Sequence, residues 1–155
     1  MEALVGLWTD LGRITGIALS TPVYAAVSAL HVVGIALLFA PIALVDLRLA
    51  GFLRGLDTGA LSVLRSTAKL GAGLAVPSGI LLASARPDEY LANPTFLAKL
   101  AVVVLALANA VAFEVAARRL GLPALLDRAA GRLSALASLA LWLAAIGLGR
   151  WIAFT

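Results

Sequence analysis

The chain has 155 residues, of which 63% are hydrophobic and 13% are charged, against about 45–50% and about 25% in soluble domains. A domain of this size hides only about 60–70% of its surface on folding, so lipid must cover much of the apolar remainder. The absence of cysteine excludes disulfides, thiolate metal sites and cysteine nucleophiles. The net charge of +4 does not indicate binding to nucleic acid, because the basic residues lie between apolar segments.

Four apolar segments are long enough to cross a bilayer, which takes about 20 residues of helix. They predict an all-α fold, a polytopic membrane four-helix bundle that forms one domain over residues 1–155. The expected spans are about 22–45, 67–85, 96–117 and 133–149.

The segment 3–19 precedes these spans and has a different pattern. Apolar residues recur there at spacings of three and four, with Asp10 and Arg13 between them. This pattern predicts an amphipathic helix that lies in the membrane interface. The alternative is an N-terminal extension of the first span, broken at Pro22. The apolar residues are Leu4, Trp8, Leu11, Ile14 and Ala18.

Basic residues are distributed unequally between the two sides of the predicted bundle. Eight lie in or beside the links between spans one and two and between spans three and four, and four lie on the other side. Because basic residues favour the cytoplasmic side, we expect both termini to face outward. The first set is Arg48, Arg54, Arg65, Lys69, Arg118, Arg119, Arg128 and Arg132, and the second is Arg13, Arg86, Lys99 and Arg150.

His31 is the only histidine, and it lies roughly 13 Å into the first span at 1.5 Å per residue. An imidazole at this depth suits haem iron or another transition metal. Gly34, one turn further along, leaves room on the same face for a flat ring. The alternative is a structural or proton-handling role, as a neutral histidine that is hydrogen-bonded to a neighbouring helix.

Other polar residues within the spans also need partners, because polar groups at membrane depth are expensive. Glu114 and Asp46 both lie near the cytoplasmic ends of their spans, and we expect an ion-pair cluster there with Arg48 and Arg118. Asn109 is nearer to His31 in depth and is expected to form a hydrogen bond between helices.

Lys99 and Arg150 lie near the outer ends of the third and fourth spans. Their long side chains can reach the headgroup region. Alternatively, they could bind an anionic group such as a porphyrin propionate or a lipid phosphate. Small residues on the second and fourth spans allow close helix packing, either within one chain or in a homo-oligomer.

The sequence resembles a family of short, four-span bacterial membrane proteins known only as a domain of unknown function. The resemblance covers nearly the whole chain after the N-terminal segment, and it implies a location in the bacterial inner membrane but no activity. The stretches that carry it are His31-Val32-Val33-Gly34, Asp46-Leu47-Arg48-Leu49, Asn93-Pro94-Thr95-Phe96 with Lys99-Leu100, and Leu141-Trp142 with Gly149-Arg150-Trp151-Ile152-Ala153-Phe154.

A looser similarity extends to the copper resistance protein D family and to the four-helix, haem-binding protoporphyrinogen oxidase. In the oxidase the histidine of the first span is a haem ligand, a role that the similarity implies for His31. The third span of the closer family often ends in Phe-His, but here it ends in Phe113-Glu114. Met1 is the only methionine, so no sulfur ligand lies at membrane depth.

The sequence therefore gives two hypotheses for function. The first is a membrane redox protein that binds haem b or a transition metal through His31, with Gly34, Lys99 and Arg150 at the cofactor. The second is a non-enzymatic transport or accessory protein without a cofactor that acts as a homo-oligomer. No catalytic residue can be named from the sequence.

Overall fold

The computed structural model describes residues 2–155, and side chains from residue 5 onward. Over this range the fold is all-α, as predicted, with no strand. Four helices are long and apolar enough to cross a membrane: α2 (Thr21–Ala50), α3 (Thr58–Ala83), α5 (Pro94–Leu120) and α7 (Ala129–Trp151). Three shorter helices are α1 (Glu2–Ile14), α4 (Pro87–Ala92) and α6 (Leu122–Leu126), and a 3₁₀ turn, Ile152–Phe154, follows α7.

The two ends of the bundle differ. The loop end holds the links 51–57 and 121–128, whereas the terminal end holds α1, α4 and the C-terminal residue. Asn93 and Thr155 are hydrogen-bonded at the terminal end, where Nδ2 of Asn93 lies 3.2 Å from Oγ1 of Thr155. All four long helices extend beyond the predicted spans at the loop end, because charged residues continue the helices there but lower the hydropathy by which spans are recognised.

Polar caps and glycines fix where the long helices begin and end. Oδ1 of Asp57 accepts a hydrogen bond from the Ala60 N–H at 2.7 Å and caps α3. Asn93 caps α5 in the same way, immediately before Pro94, and an asparagine followed by proline is itself a sequence signal for the start of a helix. Gly51 ends α2 with a φ of 98°, a left-handed conformation that favours glycine.

The long helices form two closely packed pairs, α2 with α3 and α5 with α7. The pairs join where α2 contacts α7, whereas α3 and α5 approach each other mainly through long side chains. The space between α3 and α5 is called the α3–α5 cleft below. Two apolar clusters fill the bundle, one around Val45 and Leu49 at the loop end and one around Leu38 and Trp142 near its middle.

The α2–α3 pair is packed backbone to backbone. A Cβ atom on Gly34 would lie 2.6 Å from the backbone N of Ala75, and one on Gly71 would overlap the backbone of Leu38. Glycine allows this close approach, because a larger residue at either position would meet backbone and force the two helices apart. Gly73, in contrast, faces outward with open space around it.

α1 is a separate short helix and not a continuation of α2. It ends at Ile14, before the predicted end of the amphipathic segment, and Gly16 turns the chain with a φ of 72°. Gly12 packs against the backbone of Ser84, while Leu7 and Ile14 are exposed. The location of α1 in the membrane interface stays a prediction, and the side chain of Leu4 lies outside the described residues.

Candidate functional site

His31 is fixed by α3. Its Nδ1 atom lies 2.9 Å from the carbonyl oxygen of Ala75 and 3.1 Å from Oγ of Ser78. The ring occupies space that Gly79 leaves, since a Cβ there would lie 2.9 Å from Cε1 of the imidazole. α3 therefore sets both the orientation of the ring and the role of one of its nitrogens.

The other ring nitrogen of His31 is free. Nε2 has no hydrogen-bond partner among the described residues, and the protein does not enclose it. A carbonyl oxygen can only accept a hydrogen bond, so Nδ1 carries the proton and Nε2 has a free lone pair. Gly34 does not leave room for a flat ring as expected, because the Ala75 backbone fills the space beside it.

Lys99 and Arg150 lie at the terminal end but in different environments. Nζ of Lys99 lies beside Gly149, and the ammonium is within electrostatic range of His31. The Arg150 guanidinium is exposed and stacks over the Phe154 ring at 5.1 Å. Neither cation has an ion pair within the part of the chain that the structure describes.

Glu114 forms an ion-pair cluster, although not with the expected arginine. Its Oε1 atom is 2.8 Å from Nη2 of Arg65, and its Oε2 atom is 2.8 Å from Nζ of Lys69. Both cations come from α3, so this cluster bridges the α3–α5 cleft. Arg118, one turn beyond Glu114, is exposed and is not part of the cluster, because Arg65 and Lys69 already bind both oxygens of the carboxylate.

Asp46 and Arg48 belong to different environments. Nε of Arg48 donates a hydrogen bond to the carbonyl oxygen of Leu56 in the link 51–57. Asp46 points into the bundle, where it is 4% exposed and lies next to the hydroxyl of Ser138 on α7. The expected cluster of Asp46, Arg48, Glu114 and Arg118 is therefore wrong in its membership, because Asp46 and Arg48 point in different directions from α2, and Glu114 pairs with two cations of α3.

Asn109 forms a hydrogen bond between helices, with α7. Its Nδ2 donates to the carbonyl oxygen of Ser134 at 3.1 Å, and Oγ of Ser134 donates back to Oδ1 at 3.0 Å. The interhelical bond that the sequence predicts is present.

A cavity of about 80 Å³ lies where these polar groups meet. Asp46, Ser138, Asn109 and Ser134 contribute to its walls, with the Glu114 cluster beside the α3–α5 cleft. Trp142 lines it at mid-bundle, and Nε1 of Trp142 and Oδ2 of Asp46 are enclosed atoms without a hydrogen-bond partner in the described structure.

Several members of this site were not singled out from the sequence. Arg65 and Lys69 were counted only as topology signals, and Ser138 and Ser134 only as small packing residues. One signal was available, because residues four apart such as Arg65 and Lys69 share a helix face and can bind one carboxylate together. Trp142 gave no comparable signal.

Comparison with known proteins gives no match to any family model, to any curated protein or to any solved structure. Among the described residues, no three histidine, cysteine or acidic side chains lie close enough together to hold a metal ion. The function must therefore be argued from the geometry of the two polar regions.

Proposed function

We propose that this membrane protein binds haem b, or a transition-metal ion, with Nε2 of His31 as the ligand, and that it serves in redox chemistry. The observation that carries the proposal is the hydrogen bond from Nδ1 to the Ala75 carbonyl oxygen. Histidines that bind metals almost always donate their other ring N–H to a carbonyl or carboxylate, which fixes the tautomer and the ring orientation.

Access to Nε2 supports the same proposal. The His31 ring is only half-buried and Nε2 is not enclosed, so a ligand could reach this atom from outside the bundle. A macrocycle bound to Nε2 would therefore lie at the outside of the bundle and not inside the chain. Lys99, within electrostatic range of His31, would then pair with a propionate.

The second axial position of the iron is left open by this chain, because imidazole is its only strong nitrogen ligand. A small molecule could fill that position, or His31 of another subunit could do so. The second arrangement requires α2 to lie at a two-fold axis, with both imidazoles at one depth.

The test is an absorption spectrum of protein expressed with iron and a haem precursor. We expect a Soret band in the wild-type protein, its loss in His31→Gly and its return when imidazole is added to that variant. Asn109→Ala, which alters a polar group away from His31, should keep the band. If His31→Gly keeps haem without added imidazole, or if the wild-type protein binds neither haem nor metal, the proposal is wrong. His31 would then have only a structural role.

The orientation in the membrane is a further part of the proposal. The basic residues at the loop end support a cytoplasmic loop end and outward termini in a bacterial inner membrane. Reporter fusions after Thr155 and near Asp57 would test it, and a cytoplasmic signal from the Thr155 fusion would reverse the orientation.

The second candidate is a transport or accessory protein that acts as a homo-oligomer. The open space around Gly73, on the outward face of α3, favours it, because small exposed residues let helices of two chains approach closely. Gly73→Leu should then reduce the particle size in detergent, whereas Gly147→Leu, on α7 and also in open space, serves as the control. An unchanged size would count against this candidate.

A further inference from the structure

The cavity between the helices contains two buried polar atoms that nothing in the described structure satisfies. Oδ2 of Asp46 and Nε1 of Trp142 both lack a partner, and the two residues are only 4% and 6% exposed. Buried polar groups without partners are rare in folded proteins, and a bound water or ligand is a common explanation. Asp46 and Trp142 both line this one cavity, which gives the two atoms a shared environment.

The two residues lie about one helical turn apart along the cavity. Ser138, which lies next to Asp46, is one turn before Trp142 on α7. Long side chains on a helix usually lie over the turn that precedes them, a preference that favours an indole directed toward Ser138 and Asp46.

The chemistry of the two atoms restricts what can bind between them. An indole N–H can only donate a hydrogen bond, and an ionised carboxylate can only accept one. A cation would face the indole N–H, and an anion would face the carboxylate. A hydroxyl group meets both requirements, because it donates and accepts at once.

The size of the cavity limits the occupant further. Its volume of about 80 Å³ compares with about 30 Å³ for a water molecule in the liquid and about 150 Å³ for a cavity that takes benzene. Two or so water molecules fit, or the hydroxyl end of a larger molecule whose remainder extends into the α3–α5 cleft.

The cavity is open to the outside beside the α3–α5 cleft. Lys69, beside the cleft, has a side chain that is 53% exposed, and it belongs to the cluster that lines the cavity. From Ser134 to Trp142 the lining extends over eight residues of α7, which is about 12 Å along the helix axis. The cavity therefore extends from near the loop end to the middle of the bundle, and its walls are mostly apolar between the few polar groups.

From these observations we infer that the cavity is a binding site for a neutral hydroxyl group, that of water or of a small alcohol, held between Oδ2 of Asp46 and Nε1 of Trp142. The site is separate from His31 and does not depend on any cofactor bound there. It makes the loop-end half of the bundle a hydrated pocket, closed toward the terminal end by the apolar packing around Leu38 and Ala145.

Hydroxyl-radical footprinting of the wild-type protein in lipid nanodiscs tests this inference, because radicals formed from internal water label side chains that bulk solvent does not reach. Phe96 is the internal control, since it is also 6% exposed but lies near the terminal end, away from this cavity. The labelling rate of each residue is divided by the labelling rate of the same residue in the unfolded protein. By this measure, we expect Trp142 to be protected from labelling several-fold less than Phe96.

Two variants and native mass spectrometry complete the test. Asp46→Leu removes the acceptor and should raise the protection of Trp142 to that of Phe96, whereas Asp46→Asn keeps an acceptor and should not. A small organic mass on the wild-type protein that is absent from Asp46→Leu identifies an alcohol, and weak protection without added mass identifies water. Strong protection of Trp142 in the wild-type protein, without a mass that depends on Asp46, overturns the inference.

Discussion

In the terminal-end half of the bundle, His31 has one nitrogen bonded to a neighbouring helix and one nitrogen free, and Gly34 packs against backbone one turn away. In the loop-end half, Glu114 binds two cations, and Asp46 lies beside a cavity. The first half therefore offers a single, rigidly held group at the surface. The second half offers several polar groups inside the bundle, of which Glu114 is paired through both oxygens whereas Oδ2 of Asp46 has no partner in the described structure.

This contrast follows from how closely the helices approach. Where α2 and α3 meet through Gly34 and Gly71, the backbones exclude everything else and fix one side chain. Where α3 and α5 remain apart, long charged side chains fill the gap and leave a cavity behind them. A rigidly held histidine and a cavity are thus the two products of close and distant helix pairs in one small bundle.

The largest loss of stability is expected from Gly34→Leu, which disrupts the close packing of α2 against α3. The new side chain would overlap the backbone of Ala75, and the helices must separate to admit it. We expect a loss of about 3 kcal/mol in the free energy of unfolding in mixed micelles, at the upper end of the usual range for overpacking.

Gly147→Leu is the matched control for this change, because Gly147 lies on a long helix with nothing within 4 Å of its side-chain position. It should change the unfolding free energy little. Equal effects of the two substitutions would mean that helix propensity, and not backbone contact, determines the stability of this half.

Glu114→Leu tests the loop-end half. It leaves Arg65, whose side chain is 15% exposed, and Lys69 without their shared carboxylate. Removing one partner of a buried ion pair costs about 3–5 kcal/mol, and the partial exposure of this cluster reduces our expectation to about 2 kcal/mol. The measurement is the same unfolding titration.

Glu114→Gln separates charge from hydrogen bonding in this cluster. The amide keeps an acceptor for the Arg65 guanidinium but removes the negative charge, so we expect an intermediate loss of stability. If Glu114→Gln lowers the free energy of unfolding only as much as the loss of a solvent-exposed ion pair does, lipid headgroups or water replace the carboxylate easily.

Much of the fold could be predicted because span length and apolarity are local properties of the sequence. Asn93 followed by Pro94 also marked a helix start correctly. The loop-end boundaries were missed because residues such as Arg65 and Arg118 are helical but charged. The membrane spans of α2 and α5 are apolar on all sides, so periodicity could not show which face of each helix is buried.

The site was predictable only in part, for the same reason. His31, Asp46, Asn109 and Glu114 were recognised because polar residues at membrane depth are rare. Their partners depend on helix rotation and on contacts between distant parts of the chain, 25 positions apart for Asn109 and 49 for Glu114, which spacing along one chain does not determine. Gly34 was assigned to a cofactor because the sequence could not show that another backbone fills the space beside it.

Asn109→Leu should reduce the free energy of unfolding less than Gly34→Leu or Glu114→Leu. It removes both hydrogen bonds with Ser134 while keeping a side chain of similar size. Hydrogen bonds between membrane helices average about 0.6 kcal/mol, so we expect a loss of about 1 kcal/mol. Ser66→Ala, which removes an exposed hydrogen bond within α3, is the control and should be close to neutral.

The smallest effect is expected from Ser78→Ala, and it sharpens the assignment of His31. If Nδ1 of His31 donates to the Ala75 carbonyl oxygen, that bond at 2.9 Å survives the loss of the Ser78 hydroxyl, which is itself bonded to backbone carbonyls of α3. The free energy of unfolding should then fall by no more than about 0.5 kcal/mol.

A measurement on the ring itself tests which nitrogen carries the proton. Because the chain has one histidine, ¹⁵N-histidine labelling gives one pair of ring signals, and these should report a protonated Nδ1 before and after the substitution. If the signals instead show a protonated Nε2, Ser78 would donate to Nδ1, and the nitrogen at the surface would have no lone pair to offer a metal. That result would remove His31 as a ligand, and it would leave the proposed hydroxyl site between Asp46 and Trp142 unaffected.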